Sequence, residues 1–482
     1  MPNQRAIQDL KQILANVKHE PKFPGMKELS TRNDKDRGRV PLNPTRKLSY
    51  RREPTRASDE LNNTPSDSVK RKIDRHGEKR GWYSHLAKEN DITLARIEEQ
   101  LAKARGKIRN AIVKRSFTSS PKDRSLFPKR TVYKNPFAFF QSHTEMMKTF
   151  KIWTYKEGDA PLMHDGPMKL VYSIEGDFIE EMEREGNPIV ANHPDEAHAF
   201  FIPLSVTNIV HYLFTPEEAW GFRERMQAIL EDYIKVIAEK YPYWNRSNGA
   251  DHFYVSCHDW GPVVSTGNPK LFKNFIRVLC NANSSEGFDP SRDVSMTEST
   301  APFNNIPVVS SGHSPYNRSI FAFFAGGIHG DVRKRLFEHW GNNEDKDIQV
   351  YNYLPKGENH TEWLSKSKYC LSPSGYEVAT SRLTEAIYVG CVPVIIKKNY
   401  VIPYNDVLDW SQFSVQVPVD DIPNLKKILQ DIPFSKYLEM QKRLIEVQRH
   451  FAVNIPAKPF DVFHMIFHSV WLRRLNVRLL KS

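Results

Sequence analysis

The chain has 482 residues, 39% of them hydrophobic, and a formal charge of +12, a length that exceeds one hydrophobic core and suits two domains with extensions. Residues 1–130 hold 32 Lys and Arg against 16 Asp and Glu, and the remainder 37 against 41, so the basicity is confined to the first quarter and the rest is mildly acidic. A basic tail explains the charge without a nucleic-acid partner, since no recognised nucleic-acid motif accompanies it.

Residues 1–90 are rich in Lys, Arg, Asn, Pro and Ser and show no sustained apolar period. That composition predicts a disordered tail or stem, unable to bury enough surface to offset the entropy of ordering. Asp91 then caps a predicted amphipathic helix over residues 91–115, with Leu94, Ile97, Leu101, Ala104, Ile108 and Ile112 on one stripe. The stripe is barely three heptads long, which favours docking or brief self-association over a stem coiled coil. No run approaches the ~18 apolar residues of a membrane span, and no hydrophobic signal region opens the chain.

A first lobe is expected over residues 131–300. Strands are predicted at Lys151–Tyr155 and His198–Ile202. A helix opening at the capping box Thr215-Pro216-x-Glu218 has Leu230, Ile234 and Ile237 on its core face and is stopped by Tyr241 to Trp244. A third strand, His252–Cys257, ends in His258, Asp259 and Trp260. Ligands of open α/β sheets bind beyond strand carboxyl ends. His258 and Asp259 are therefore candidate bases and Trp260 a candidate sugar platform. The bland alternative is a structural His and Asp that fix the loop.

A second lobe is expected over residues 301–445, opening with the apolar strand Ser319–Phe324. A glycine turn from Ala325 to Gly330 leads into a helix, Asp331–Trp340, carrying Arg333. Such a turn lets backbone approach phosphate oxygens, though it is neither G-x-G-x-x-G nor a Walker loop. Next comes a βαβ unit: a strand at Tyr369–Leu371, a turn with Pro373, Ser374 and Gly375, a helix opening near Tyr376, and a buried strand at Val392–Ile396. Arg382 and Glu385, three apart, share a helix face. One suits phosphate oxygens and the other ribose hydroxyls; an ordinary crossover with a surface ion pair is the alternative. Helices over Leu438–Phe451 and Phe460–Leu475 follow, and residues 446–482 are expected to pack back on the first lobe.

Two Asp-x-Asp triplets, Asp34 to Asp36 and Asp345 to Asp347, do not end apolar strands and read as solvated loop charges, so no metal site and no cofactor are assigned. Cys370 and Cys391 occupy strand positions in one βαβ unit and read as buried thiols, and the four cysteines as no disulfide framework. Asn62, Asn245, Asn283, Asn317 and Asn359 head Asn-x-Ser/Thr sequons and are glycosylation candidates.

The order Cys370-Leu-x-Pro373-x-Gly375-Tyr376 followed by Ser381-Arg382-x-x-Glu385-Ala386 resembles the exostosin-like glycosyltransferases, in particular their plant branch of wall-polysaccharide enzymes. Other landmarks of the resemblance are Tyr172-Ser173-x-Glu175-Gly176-x-Phe178, the segment Asp195 to Pro203, Tyr243 to Arg246, and Asp251-His252 with Cys257 to Gly261. It runs from about Leu94 to the C-terminus. It implies two Rossmann-like lobes of GT-B type and an inverting, metal-independent transfer from a nucleotide-sugar, a UDP-sugar in the first instance, to a glycan acceptor. Arg333, Ser374, Gly375, Arg382 and Glu385 would bind the donor. It also implies a Golgi signal anchor and association with other glycosyltransferases as homo- or hetero-oligomers. No anchor is visible, which leaves a shortened reading frame or a soluble form. Two other readings are a catalytically silent subunit of a synthase complex and a glycan-binding module.

The tail composition gives one prediction. Deleting residues 1–90 should leave melting temperature and transfer rate almost unchanged; a large drop in melting temperature would show that the segment packs on the catalytic body.

Overall fold

The structure, a computed structural model, describes residues 92–118, 132–169, 171–214, 221–299, 312–341 and 345–479, all within one compact unit, Glu89–Ser482. Asn62, Asp34, Asp36, Asp91 and the capping box at 215–218 lie outside the described residues.

Helix α1 spans 92–114. Its Leu94, Ile97, Leu101 and Ala104 are buried and Ile112 is exposed, so the stripe faces the protein core for its first three turns. Helix α2, Pro136–Thr149, is capped by Asn135, whose side chain accepts from the Ala138 N–H at 3.0 Å. The first sheet then assembles in simple sequential order: β1 (Ile152–Thr154), β2 (Ala199–Phe201), β3 (His252–Ser256), β4 (Ile276–Leu279) and β5 (Val294–Ser295), all parallel. Helix α3, Ile174–Glu183, packs against β3. Helix α4, Phe222–Lys240, buries Leu230, Ile234 and Ile237 as its spacing predicts and ends at Tyr241.

The second sheet has strand order β10-β9-β8-β6-β7, again all parallel: β6 (Ile320–Ala325), β7 (Ile348–Tyr351), β8 (Ser367–Pro373), β9 (Val392–Ile396) and β10 (Val415–Gln416). Between them run α5 (Gly330–Trp340), α6 (His360–Lys366) and α7 (Arg382–Tyr388). Strands β3, β4 and β9 are buried along their whole length, as parallel strands covered on both faces must be. Two five-stranded parallel sheets make this the two-lobed, Rossmann-like GT-B architecture. Asp345 and Asp347 are loop charges before β7, paired with Lys426 at 2.7 and 3.0 Å.

After β10 the chain forms α8 (Phe434–Val447), a 3-10 turn at Gln448–Phe451, and α9 (Val462–Asn476). Almost all of α9 is buried; it packs against α2, β4 and β5. Its Arg474 donates to the His198 carbonyl (2.9 Å) and to Glu98 of α1 (2.6 Å), a charge pair that locks the two ends of the described chain together.

Two expectations are corrected. The cysteines are not free thiols: Cys257 pairs with Cys280 and Cys370 with Cys391. Adjacent parallel strands bring each pair together, an adjacency that sequence spacing alone does not display. The helix expected near Tyr376 begins only at Arg382. The residues between are held as a loop, because the Glu377 carboxylate is drawn to Asn281 of the first lobe (2.8 Å) and the Glu377 carbonyl accepts from the Gly375 N–H (3.1 Å).

The disulfides close loops with sequence separations of 23 and 21, each worth roughly 2–4 kcal/mol by loop-closure entropy. Thiol reduction should therefore lower the melting temperature by several degrees. An unchanged melting curve in reducing buffer, with reduction verified by thiol titration, would contradict this.

Candidate active site

The second sheet reverses its strand order around β6: the chain steps outward to β7 and then crosses to the other side for β8. Loops on the two sides of such a switch point diverge and leave a crevice at the strand carboxyl ends. The two loops there are Gly326 to His329 after β6 and Ser374 to Ser381 after β8. They touch backbone to backbone. A Cβ on Gly330, whose φ is +72°, would lie 2.2 Å from the Gly375 carbonyl oxygen, so only glycine fits there.

Two guanidinium groups lie against these loops, Arg333 beside Gly375 and Arg382 with its Nη2 3.7 Å from where a Gly326 Cβ would stand. Arg333, one turn into α5, donates to the Gly327 carbonyl at 3.1 Å, and its Nη2 lies 3.3 Å from where a Gly375 Cβ would stand. Burial and the neighbouring Arg382 pull the Arg333 pKa down to about 10. Its Nε is buried with no hydrogen-bond partner among the described residues. Arg382 forms a forked pair with Glu385, its Nη1 reaching the two carboxylate oxygens at 2.9 and 2.6 Å. Ser381 Oγ donates to the same carboxylate at 3.0 Å. Burial pushes Glu385 up, and Arg382, His360 and Ser381 together hold it below the usual carboxylate range. Ser374 is buried, its N–H donating to the Ile396 carbonyl at 3.2 Å. The five expected donor residues thus all lie on the loops and helices that follow the carboxyl ends of β6 and β8.

The first lobe presents the ends of β3, β4 and β5 to the same place. Glu175, fully buried at the start of α3, organises the β3 end. One carboxylate oxygen accepts from Ser256 Oγ, the Cys257 N–H and the His258 N–H (2.8, 2.8 and 3.0 Å), and the other from Ser205 Oγ and the Thr207 N–H (2.9 and 3.0 Å). Five hydrogen bonds make it a fully satisfied buried carboxylate. They fix the turn that carries the candidate bases. His258 tilts against Tyr172 at 4.8 Å, its Nδ1 accepts from the Trp260 N–H (3.1 Å), and burial pushes its pKa down to about 3. Asp259 moves the other way: burial, with Glu286 adding to it, raises it to about 6 against the hydrogen bond from the Tyr172 hydroxyl. Trp260 packs edge-on against Phe222 at 5.4 Å rather than standing as an open ring.

Three residues not singled out from the sequence complete the junction. Asn281 donates to the Asp259 carbonyl (3.1 Å) and to Glu377 (2.8 Å), bridging the lobes. Glu298, only 7% exposed, follows β5. Its backbone is held to α7 by the Thr384 hydroxyl (2.7 Å), and its carboxylate accepts from the Ser381 N–H. Burial first, then Asp259, raise its pKa, opposed by Lys397 just beyond β9. No sequence motif marks Glu298; only the lobe contact shows it.

The exostosin GT47 domain profile matches residues 137–432. The chain belongs to the exostosin GT47 family. It is 50% identical over 386 residues to a probable glycosyltransferase of Arabidopsis thaliana, covering 80% of this chain and 73% of that one. Over 343 residues it is 26% identical to a probable beta-1,4-xylosyltransferase of Arabidopsis thaliana, covering 66% and 81%. It is 28% identical over 307 residues to a probable glucuronosyltransferase of Oryza sativa subsp. japonica, covering 58% and 70%. This chain is thus a glycosyltransferase of the exostosin GT47 family.

Among the sequons, Asn245, Asn317 and Asn359 are exposed. Asn359 caps α6, accepting from the Thr361 and Glu362 N–H groups. Asn283 is buried and accepts from Ser285, which closes it to modification in the folded protein. Among the described residues no group of three or more His, Cys, Asp or Glu is arranged to hold a metal ion, and no helix is long and apolar enough to cross a membrane.

The raised Asp259 has two readable consequences. An acid whose folded pKa lies above its unfolded value of about 3.9 binds its proton more tightly when folded, so its ionised form costs stability above about pH 6 and the cost vanishes toward pH 4. Asp259→Asn should therefore raise the melting temperature at neutral pH but not near pH 4, while lowering turnover by ~10²–10⁴. Full activity in the variant would remove Asp259 from the reaction.

Proposed function

We propose that this protein is an inverting, metal-independent glycosyltransferase that moves a sugar from a UDP-sugar to a wall-matrix polysaccharide or glycoprotein glycan. The donor occupies the second lobe and the acceptor mainly the first. The observation that carries this reading is the approach of Arg333 to Gly375 and of Arg382 to Gly326, on the two loops that meet at the switch point. Two mutually repelling guanidinium groups, one with an unpartnered buried nitrogen, suit an anion of high charge density. A nucleoside diphosphate is such an anion, and family membership supplies its identity.

The displacement is a single in-line step at the anomeric carbon. Asp259 takes the proton of the attacking acceptor hydroxyl. Its raised pKa makes it a stronger base than an ordinary carboxylate, and His258, with Nδ1 occupied and its proton affinity depressed, is the poorer candidate. The bond from sugar to diphosphate breaks as the new bond forms, and Arg333 and Arg382 stabilise the charge that grows on the leaving oxygen. Ser374 and Gly375 give the backbone surface on which the diphosphate lies. Glu385 keeps Arg382 in place. Three of its roughly four lone-pair sites are taken by Arg382 and Ser381, leaving one for a ribose hydroxyl. Trp260, packed against Phe222, shapes the acceptor side from below rather than as an open platform.

The two disulfides support residence in an oxidising compartment, for which the Golgi lumen is the family expectation. The xylosyltransferase and glucuronosyltransferase names of two relatives place UDP-xylose and UDP-glucuronate first among donors to try.

Calorimetry with UDP tests the donor site. Glu385→Ala should weaken UDP binding by roughly tenfold to a hundredfold, the loss of charge-assisted bonds of about 1.5–3 kcal/mol. Arg382→Ala should reduce turnover at least as much as binding, because phosphate charge grows toward the transition state. Unchanged UDP affinity in a folded Glu385→Ala protein would return this helix to an ordinary crossover.

A further inference from the structure

Lys397 stands one residue beyond β9, the strand next to β8. Its Nζ donates to the Val378 carbonyl in the loop after β8 (2.7 Å) and lies 4.1 Å from the centre of the Tyr400 ring. Those contacts place the ammonium group against the loop after β8, where Arg333 also acts on it. The charged groups acting on it are Glu298 from the first lobe and Arg333 from α5. Glu298 in turn faces Asp259, Glu385 and the Ser381 N–H. Three cations, Arg333, Arg382 and Lys397, therefore stand beyond the carboxyl ends of the neighbouring strands β6, β8 and β9. Arg382 already has Glu385, and the buried carboxylate nearest the other two in charge terms is Glu298.

We propose that Lys397 is a third diphosphate-binding cation, held by the Val378 carbonyl and the Tyr400 ring in the free enzyme and turned to the donor's phosphates on binding. This rests on the donor site proposed above. Lys397 has the reach and flexibility of a point charge on a four-carbon stem, whereas the two arginines are fixed forks. Glu298 sits on the first lobe and acts on Lys397 through charge alone, so a donor bound at Lys397 is felt electrostatically by the carboxylate beside Asp259.

The arrangement has a proton signature. Burial and Arg333, offset by Glu298, push the Lys397 ammonium down to about 7, so the free enzyme carries it partly neutral in mildly alkaline solution. An arriving diphosphate favours the charged form. The neutral amine then takes one proton from the buffer, and binding is accompanied by proton uptake.

Calorimetry with UDP at about pH 7.5, in two buffers of different ionisation enthalpy, reads that uptake directly. The native chain should take up more protons per UDP than Lys397→Met, and the variant should bind UDP roughly tenfold more weakly while binding uridine equally well. Lys397→Arg, which keeps a permanent charge, should retain most of the affinity and lose the extra uptake. If UDP binds the native chain and both variants with the same affinity and the same proton count, Lys397 is not part of the site and the donor reading stands without it. If UDP fails to bind the native chain at all, the donor reading falls and takes this inference with it.

Discussion

The reversal of strand order around β6 is the constraint on which the rest depends. A sheet in simple sequential order, like the first, sends every connection the same way and leaves no crevice of its own. In the second sheet the connections after β6 and β8 leave in opposite directions while the loops that begin them still meet at Gly330 and Gly375, which requires glycine at 330 and sets Arg333 alongside. The first lobe then has one task, which is to bring its own strand ends to this gap. Asn281 bonded to Glu377, and Thr384 bonded to the Glu298 carbonyl, hold them there.

What results is a junction with opposed charge on its two sides. Asp259 and Glu298 come from the first lobe, with raised proton affinities because burial disfavours ionisation, reinforced by Glu286 at Asp259 and by Asp259 at Glu298. Arg333, Arg382 and Lys397 come from the second, and the first and last of these lose protons more readily than usual for the same reason in reverse. A donor carrying negative charge relieves the second lobe, and an acceptor yielding a proton relieves the first. Such groups cost stability in the empty protein and are the ordinary mark of a functional site. Glu175 shows the contrast: an equally buried carboxylate, satisfied by five donors, serves only to hold the β3 turn in shape.

Much of this was legible in the sequence. The apolar runs at Ser319–Phe324, found one residue on as Ile320–Ala325, and at Val392–Ile396, the core face of α4 and the shared face of Arg382 and Glu385 follow from local spacing. What escaped depends on contacts between distant segments. Strand adjacency paired Cys257 with Cys280 and Cys370 with Cys391. The bridge from Asn281 to Glu377 kept residues 376–381 out of the helix that their composition suggests. Glu298 and Lys397 lie in unremarkable strings, and only the meeting of the lobes gives them a role. Helix boundaries and lone charges are set by tertiary partners, which a single chain read in order does not contain.

The central claim is a single displacement, with the base on one lobe and the leaving diphosphate on the other. The anomeric configuration of the product tests it most directly. Purified protein should be given α-linked UDP-xylose and UDP-glucuronate with wall-type oligosaccharide acceptors, and the first-formed glycoside examined by proton NMR. The account predicts a β-linked product, inverted relative to the donor. An α-linked product would require a second displacement or a front-face route, and would contradict the assignment of Asp259 and the geometry built around it.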